Sequence, residues 1–150
     1  MNTKVLGYLR CAREVVPGMK AAGWGRIINI SGLAARQTGN AVGSMRNVAV
    51  AALTKNLADE LGPFGINVTC VHPGLTWTEG MERNILAQAE IRGQTLADAR
   101  KRLGEQNAVR RIIDPADIAN LVAFLASPLS VAVTGDSIAA GGGVGRAIHY

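Results

Sequence analysis

Arg26-Ile-Ile-Asn-Ile-Ser31, the alanine-rich run from Val48 to Leu61, and Gly65-Ile-Asn-Val-Thr-Cys-Val71 together decide the fold. The first run is short, mostly apolar and of β-branched character, which predicts a strand buried on both faces, and the third run predicts the second strand. The run between them predicts a helix, closed by Gly62 at its C′ position with Pro63 just beyond. A polar loop from Gly32 to Val42 joins the first strand to that helix. Strand, helix and strand with short joints predict a right-handed βαβ unit with parallel strands. Ligands of open parallel sheets bind outside the carboxyl ends of the strands. Those ends are Ser31-Gly32 and His72-Pro73-Gly74, so a site is expected there.

Upstream, Val5, Leu9, Ala12, Val16 and Met19 recur at helical spacing, and Pro17 is expected to bend or loosen the last turn. Gly23-Trp24-Gly25 turns into the first strand. Downstream of Gly74, the chain from Thr78 to about Glu105 is polar and helical, with a break at Gly93-Gln94. Thr95-x-x-Asp98 restarts the helix as a capping box. This pair of helices suits either a substrate lid or an ordinary surface hairpin. Asp114-Pro115-x-Asp117 opens another helix, with Ile118, Leu121, Val122 and Leu125 on one face. A last short strand is expected at Ser137 to Ala140. No repeat or linker interrupts the chain, so residues 1–150 are expected to form a single domain.

Composition narrows the function classes. The 150 residues carry a formal charge of +5, but the basic residues are scattered and are not interleaved with aromatics, which argues against a nucleic-acid surface. Of the two cysteines, Cys11 falls in a helix pattern and Cys70 in a buried strand. Both read as core thiols in a reducing compartment, not as a disulfide framework. There is no signal-peptide pattern and no apolar span of about 18 residues. No membrane partner is expected, and cytoplasmic localisation is. No metal site is predicted.

The motifs, taken together, resemble the carboxyl-terminal part of the short-chain dehydrogenase/reductase family. The run from Val5 to Ser31 is similar to that family's fourth helix and fifth strand. The run from Val48 to Gly74 is similar to its fifth helix and sixth strand, and the run from Asp114 to Gly143 to its closing helix and last strand. The resemblance implies an α/β fold: a Rossmann-like, doubly wound parallel sheet, here only its carboxyl-terminal part, with about three parallel strands and flanking helices. It also implies NAD or NADP as cofactor, a small-molecule carbonyl or alcohol as substrate, and a homo-oligomer paired through the fourth and fifth helices.

In such enzymes a tyrosine moves the proton, a lysine lowers its pKa, a serine steadies the substrate oxygen, and an asparagine supports a proton relay. Here the Tyr-x-x-x-Lys positions read Gly43 and Asn47, the serine position reads Gly32, and the relay position reads Lys4. Ser31 is the nearest hydroxyl and the candidate catalytic residue. Ser44 lies closest to the missing phenol, but without a base its pKa is too high. Pro73, Gly74 and Thr78 match the family's Pro-Gly-x-x-x-Thr and are the candidate cofactor-binding residues, on the nicotinamide side. Thr78 also suits an N-cap. His72, Arg36 and Gln37 are secondary candidates at the strand ends.

The cluster Gly141-Gly142-Gly143-Val144-Gly145 follows a strand but has too few residues after it to supply a phosphate-binding helix. It is expected to be a flexible strand end. With no glycine-rich cofactor loop, the chain alone is expected to bind NAD(P) weakly or not at all. The resulting expectation is an oxidoreductase of this family. The alternative is a catalytically impaired or truncated relative that serves as a binding or oligomerisation module.

Overall fold

A computed structural model describes residues 1–146. Its helices are α1 (Gly7–Ala22), α2 (Ala41–Leu61), α3 (Glu79–Ile91), α4 (Leu96–Gly104) and α5 (Pro115–Ala126). Its strands are β1 (Gly25–Ile30), β2 (Ile66–Pro73) and β3 (Ser137–Ala140). The strands form one sheet in the order β1-β2-β3. β1 and β2 are parallel, with Gly25 opposite Ile66 and Ile30 opposite Val71. β1-α2-β2 is therefore the expected parallel βαβ unit. No described helix is long and apolar enough to cross a membrane.

The chain divides into two compact units. The first comprises Met1–His72 and Asn120–Ile138. Its core gathers Ala58 and Leu61 of α2 with Ile66 and Val68 of β2, packed on by Val16, Met19, Ile27 and Leu57. β2 is almost wholly buried along its length, its polar residues Asn67, Thr69 and His72 nearly as much as its apolar ones. Asn67, also buried, offers its amide to the carbonyls of Ser130, Val131 and Val133. The Thr134 hydroxyl accepts from Val68 N–H at 3.0 Å. These bonds feed the chain into β3, where Gly135 N–H donates to Val68 O and Cys70 N–H to Asp136 O.

The second unit comprises Pro73–Ala119 and, among the described residues, 139–146. In it, α3 and α4 form a hairpin around Ile85, Ala89 and Ala99, with Trp77, Met81, Leu96 and Leu103 packed on. Thr95 caps α4 as its sequence predicts. Its hydroxyl oxygen accepts from Asp98 N–H and its proton goes to the Asp98 carboxylate at 2.6 Å. Arg100 lies over the Trp77 ring, 4.4 Å from its centroid.

Several local expectations need correction. α2 begins at Ala41 and not near Val48, because Asn40 caps it: its side-chain oxygen accepts from Gly43 N–H at 2.8 Å. Gly62 is right-handed and continues into a 3₁₀ turn, and the left-handed turn falls at Gly65 instead (φ 75°). A Cβ there would sit 2.3 Å from the Gly23 carbonyl oxygen, so the position requires glycine. Cys11 is exposed, not a core thiol, while Cys70 is buried. The glycine run after β3 is a packed turn and not a loose end. Gly142 O accepts from Val109 N–H at 3.2 Å, and a Cβ on Gly143 would lie 2.7 Å from that of Ala108.

Candidate functional site

The carboxyl end of β1, within the first unit, holds a compact polar cluster. Ser31 follows directly on β1, and its backbone N–H donates to Val71 O at 2.8 Å, keeping it in register beyond the strand. Its side chain is buried, and its hydroxyl donates to Asn47 O on α2 at 3.2 Å. Lys4 enters from the π-helical turn Asn2–Leu6 that precedes α1. Its ammonium donates to Ser31 O at 2.8 Å and to the Asn47 side-chain oxygen at 3.1 Å. Ser31, Lys4 and Asn47 thus close a ring of hydrogen bonds. The sequence placed Lys4 and Asn47 only as substituted positions; the geometry brings them into contact.

His72, at the carboxyl end of β2, lies beside this ring and is fully buried. Its Nδ1 accepts the backbone N–H of Gly32 at 3.3 Å, which leaves the proton of the neutral ring on Nε2. Burial pushes its pKa down, and the charges of Arg36 and Lys4 push it the same way. The imidazole is therefore a neutral acceptor near pH 7. Cys70 sits below it, Sγ 3.9 Å from Nδ1. Burial raises that thiol's pKa, against hydrogen bonds to Ser137, Ser31 and Thr54. Cys70 is thus a protonated core thiol and no nucleophile. Deeper still, Asn29 donates to Thr54 Oγ1 at 2.9 Å, and Thr54 donates to Val50 O.

Burial, then the nearby Arg46 guanidinium, lower the Lys4 pKa, with Cys70 acting in the opposite sense. Arg36 is held by Ser137 O at 2.6 Å. Gly43 stands one turn before Asn47 on α2, its Cβ position facing the Asn40 side chain. The phenol of Tyr8 donates to Ile30 O at 2.8 Å. Burial raises its pKa, so it does not ionise near neutrality. Ser44, the hydroxyl nearest the family's phenol position, donates to Gln37 O at 2.9 Å and bonds to no base among the described residues. Among the described residues no three His, Cys, Asp or Glu gather to hold a metal ion.

The candidate cofactor-binding residues lie in the second unit. Pro73 ends β2, and Gly74 N–H donates to Ala140 O at 3.3 Å. Gly74 O accepts the Thr76 hydroxyl at 3.1 Å. Thr78 is the N-cap of α3, with its oxygen accepting from Met81 N–H at 3.3 Å. That role uses a lone pair of the Thr78 hydroxyl oxygen. The packed glycine turn does not fit a pyrophosphate. Gly142 and Gly143 pack closely on residues 107–109, and no helix follows the turn among the described residues to present N–H groups.

Comparison with known proteins gives a consistent result. Residues 1–145 match the family described as enoyl-(acyl carrier protein) reductase. The short-chain reductase protein NovJ of Streptomyces niveus is 36% identical over 144 residues, covering 95% of this chain and 53% of NovJ. The 3-oxoacyl-[acyl-carrier-protein] reductase FabG of Vibrio cholerae is 32% identical over 154 residues, covering 96% of this chain and 55% of FabG. Among solved structures, L-sorbose reductase from Gluconobacter frateurii, complexed with NADPH and L-sorbose, superposes with a TM-score of 0.88. It is 26% identical and covers 97% of this chain and 56% of its own. The chain spans about half the length of the relatives it matches.

Proposed function

Because the chain belongs to the short-chain dehydrogenase/reductase family, we propose that it carries the substrate-side half of an NAD(P)-linked oxidoreductase acting on a small-molecule carbonyl or alcohol. The observation that carries this reading is the hydrogen-bonded ring of Ser31, Lys4 and Asn47 at the carboxyl end of β1. It joins a hydroxyl, an ammonium and an amide where parallel sheets bind ligands. Bound NAD(P)H would supply a hydride. Pro73, Gly74 and Thr78 would hold its nicotinamide end, and Ser31 would steady the substrate oxygen. Proton delivery is the weak step, since residue 43 has no side chain to donate from.

Pairing through α1 and α2 belongs to the same reading. An open groove of about 560 Å³ runs between these helices, lined mainly by apolar residues such as Leu6, Leu9, Val16 and Leu57, with Arg10, Arg13 and Glu60 among them. Val42, Met45 and Val48 of α2 are exposed as well. This apolar surface favours a homo-oligomer. It also favours a second reading, in which the chain serves mainly as an oligomerisation module and turns nothing over. Cytoplasmic placement is part of the proposal.

The experiment is to join the amino-terminal half of NovJ ahead of Met1 and follow NADPH oxidation with a simple ketone. Cofactor binding with slow turnover is expected, below the ordinary enzyme rate of about 10 s⁻¹. Binding with no turnover at all favours the module, and absence of binding overturns the oxidoreductase reading.

A further inference from the structure

We infer that Lys4 is the positioning cation of the β1 site, that Asn47 holds it there, and that the ammonium and the amide can exchange places. The inference rests on the oxidoreductase reading for its ligand and on side-chain geometry for the pair itself. Three observations carry it. Lys4 Nζ reaches two acceptors, Ser31 O and Asn47 Oδ1, from different elements. Asn47 is only 4% exposed, so its side-chain oxygen depends on Lys4 for a partner. Ser31 closes the ring onto the backbone of that same Asn47.

An ammonium has three N–H donors. Two are engaged here, and the third is available to the oxygen of a bound carbonyl or alcohol. No ion pair neutralises Lys4 among the described residues, so its full charge acts on that oxygen. A lysine that merely tied down the chain would need the Ser31 carbonyl alone. The buried amide adds a second, directional anchor, and its polarity is the complement of the ammonium's. An amide at position 4 facing an ammonium at position 47 forms the same bond in the opposite sense.

The test uses the full chain with Lys4→Asn, Asn47→Lys, both together, and Asn47→Asp. Thermal unfolding reads the coupling. Asn47→Lys alone is expected to lower Tm by about 5 °C or more, because two ammonium groups then share one site. The double exchange is expected to recover most of that loss. A single Asn47→Lys as stable as the parent overturns the inference, and so does a double variant that loses the sum of the two singles.

Side-chain ¹⁵N NMR gives a second readout that a purely structural lysine would not move. Asn47→Asp is expected to raise the Lys4 pKa by about one unit, as an opposite charge at hydrogen-bond distance does. No movement overturns the inference even if Asn47→Lys fails to fold. In the NovJ fusion, Lys4→Met should lower kcat more than the double exchange does. A fusion without turnover would count against the oxidoreductase reading and leave the unfolding and NMR results to decide the pair.

Discussion

The backbone N–H of Gly32 donates to Nδ1 of His72, so the residue that follows β1 and Ser31 is fastened to the end of β2 through a buried, neutral imidazole. Protonating that ring removes the acceptor and buries a charge beside Lys4 and Arg36. The folded pKa lies below the unfolded value of about 6.5. The unfolded chain therefore binds the proton first. The stability His72 contributes is complete above pH 6.5 and is lost as pH falls through the folded pKa. We expect urea unfolding to show a stability decline below pH 6.5 that His72→Asn flattens, since the Asn oxygen can accept from Gly32 without titrating. An unchanged decline in the variant would assign it to other groups.

Gly65 gives a sharper stability test. Its φ of 75° and the 2.3 Å between a built Cβ and Gly23 O leave no room for a side chain at the β2 entrance. Gly65→Ala should cost about 2 kcal/mol or more in chemical denaturation. Gly62→Ala should cost much less, because Gly62 is right-handed and a Cβ there meets nothing within 4 Å. Equal losses at the two positions would contradict the turn geometry.

How much the residues alone disclose follows from which physics each feature obeys. The parallel βαβ unit was legible because runs rich in β-branched residues, such as Ile66–Val71, flank an alanine-rich helical run with short joints. The Thr95 cap and the β3 span were legible from local chemistry. The start of α2 was not, because Gly43, Ser44 and Asn47 are poor helix formers and only the Asn40 side chain reveals the cap. Cys11 was misplaced because helical spacing alone does not say which face of α1 is covered. The Lys4–Asn47 bond links residues 43 apart in sequence, and no local pattern encodes it. The family resemblance marked both positions as substituted, and a matched ammonium and amide at two such positions was the one signal that could have suggested contact.

Cofactor affinity of the chain by itself is the next expectation. The glycine turn after β3 is packed against residues 107–109, and Pro73, Gly74 and Thr78, the residues proposed to hold the nicotinamide, would offer only a small part of a dinucleotide's contacts. Calorimetric titration with NADH and NADPH should therefore give a dissociation constant well above 1 µM, weaker than about −8 kcal/mol. Micromolar or tighter binding would mean that phosphate contacts arise from groups other than a glycine-rich loop.

Restoring the proton donor is the most demanding test. From the sequence alone, both a tyrosine at 43 and a lysine at 47 look necessary, since a phenol without a neighbouring cation keeps a pKa of about 10. The Lys4 contact changes that expectation. Positions 43 and 47 are neighbours on one face of α2, and the Lys4 ammonium already lies 3.1 Å from Asn47. Gly43→Tyr alone should then raise turnover in the NovJ fusion at least tenfold, within the 10²–10⁴ range typical of general acid catalysis. The new Cβ lies 3.0 Å from the Asn40 side chain, so the α2 cap must shift, at a cost of about 1 kcal/mol in stability. Adding Lys4→Met should erase the gain by removing the cation. Adding Asn47→Lys should also erase it by crowding two ammonium groups, unless Lys4→Asn accompanies it. Steady-state rates of these variants separate the alternatives: a gain that survives Lys4→Met would show that the phenol draws its acidity from another group, with Arg46 the first to test.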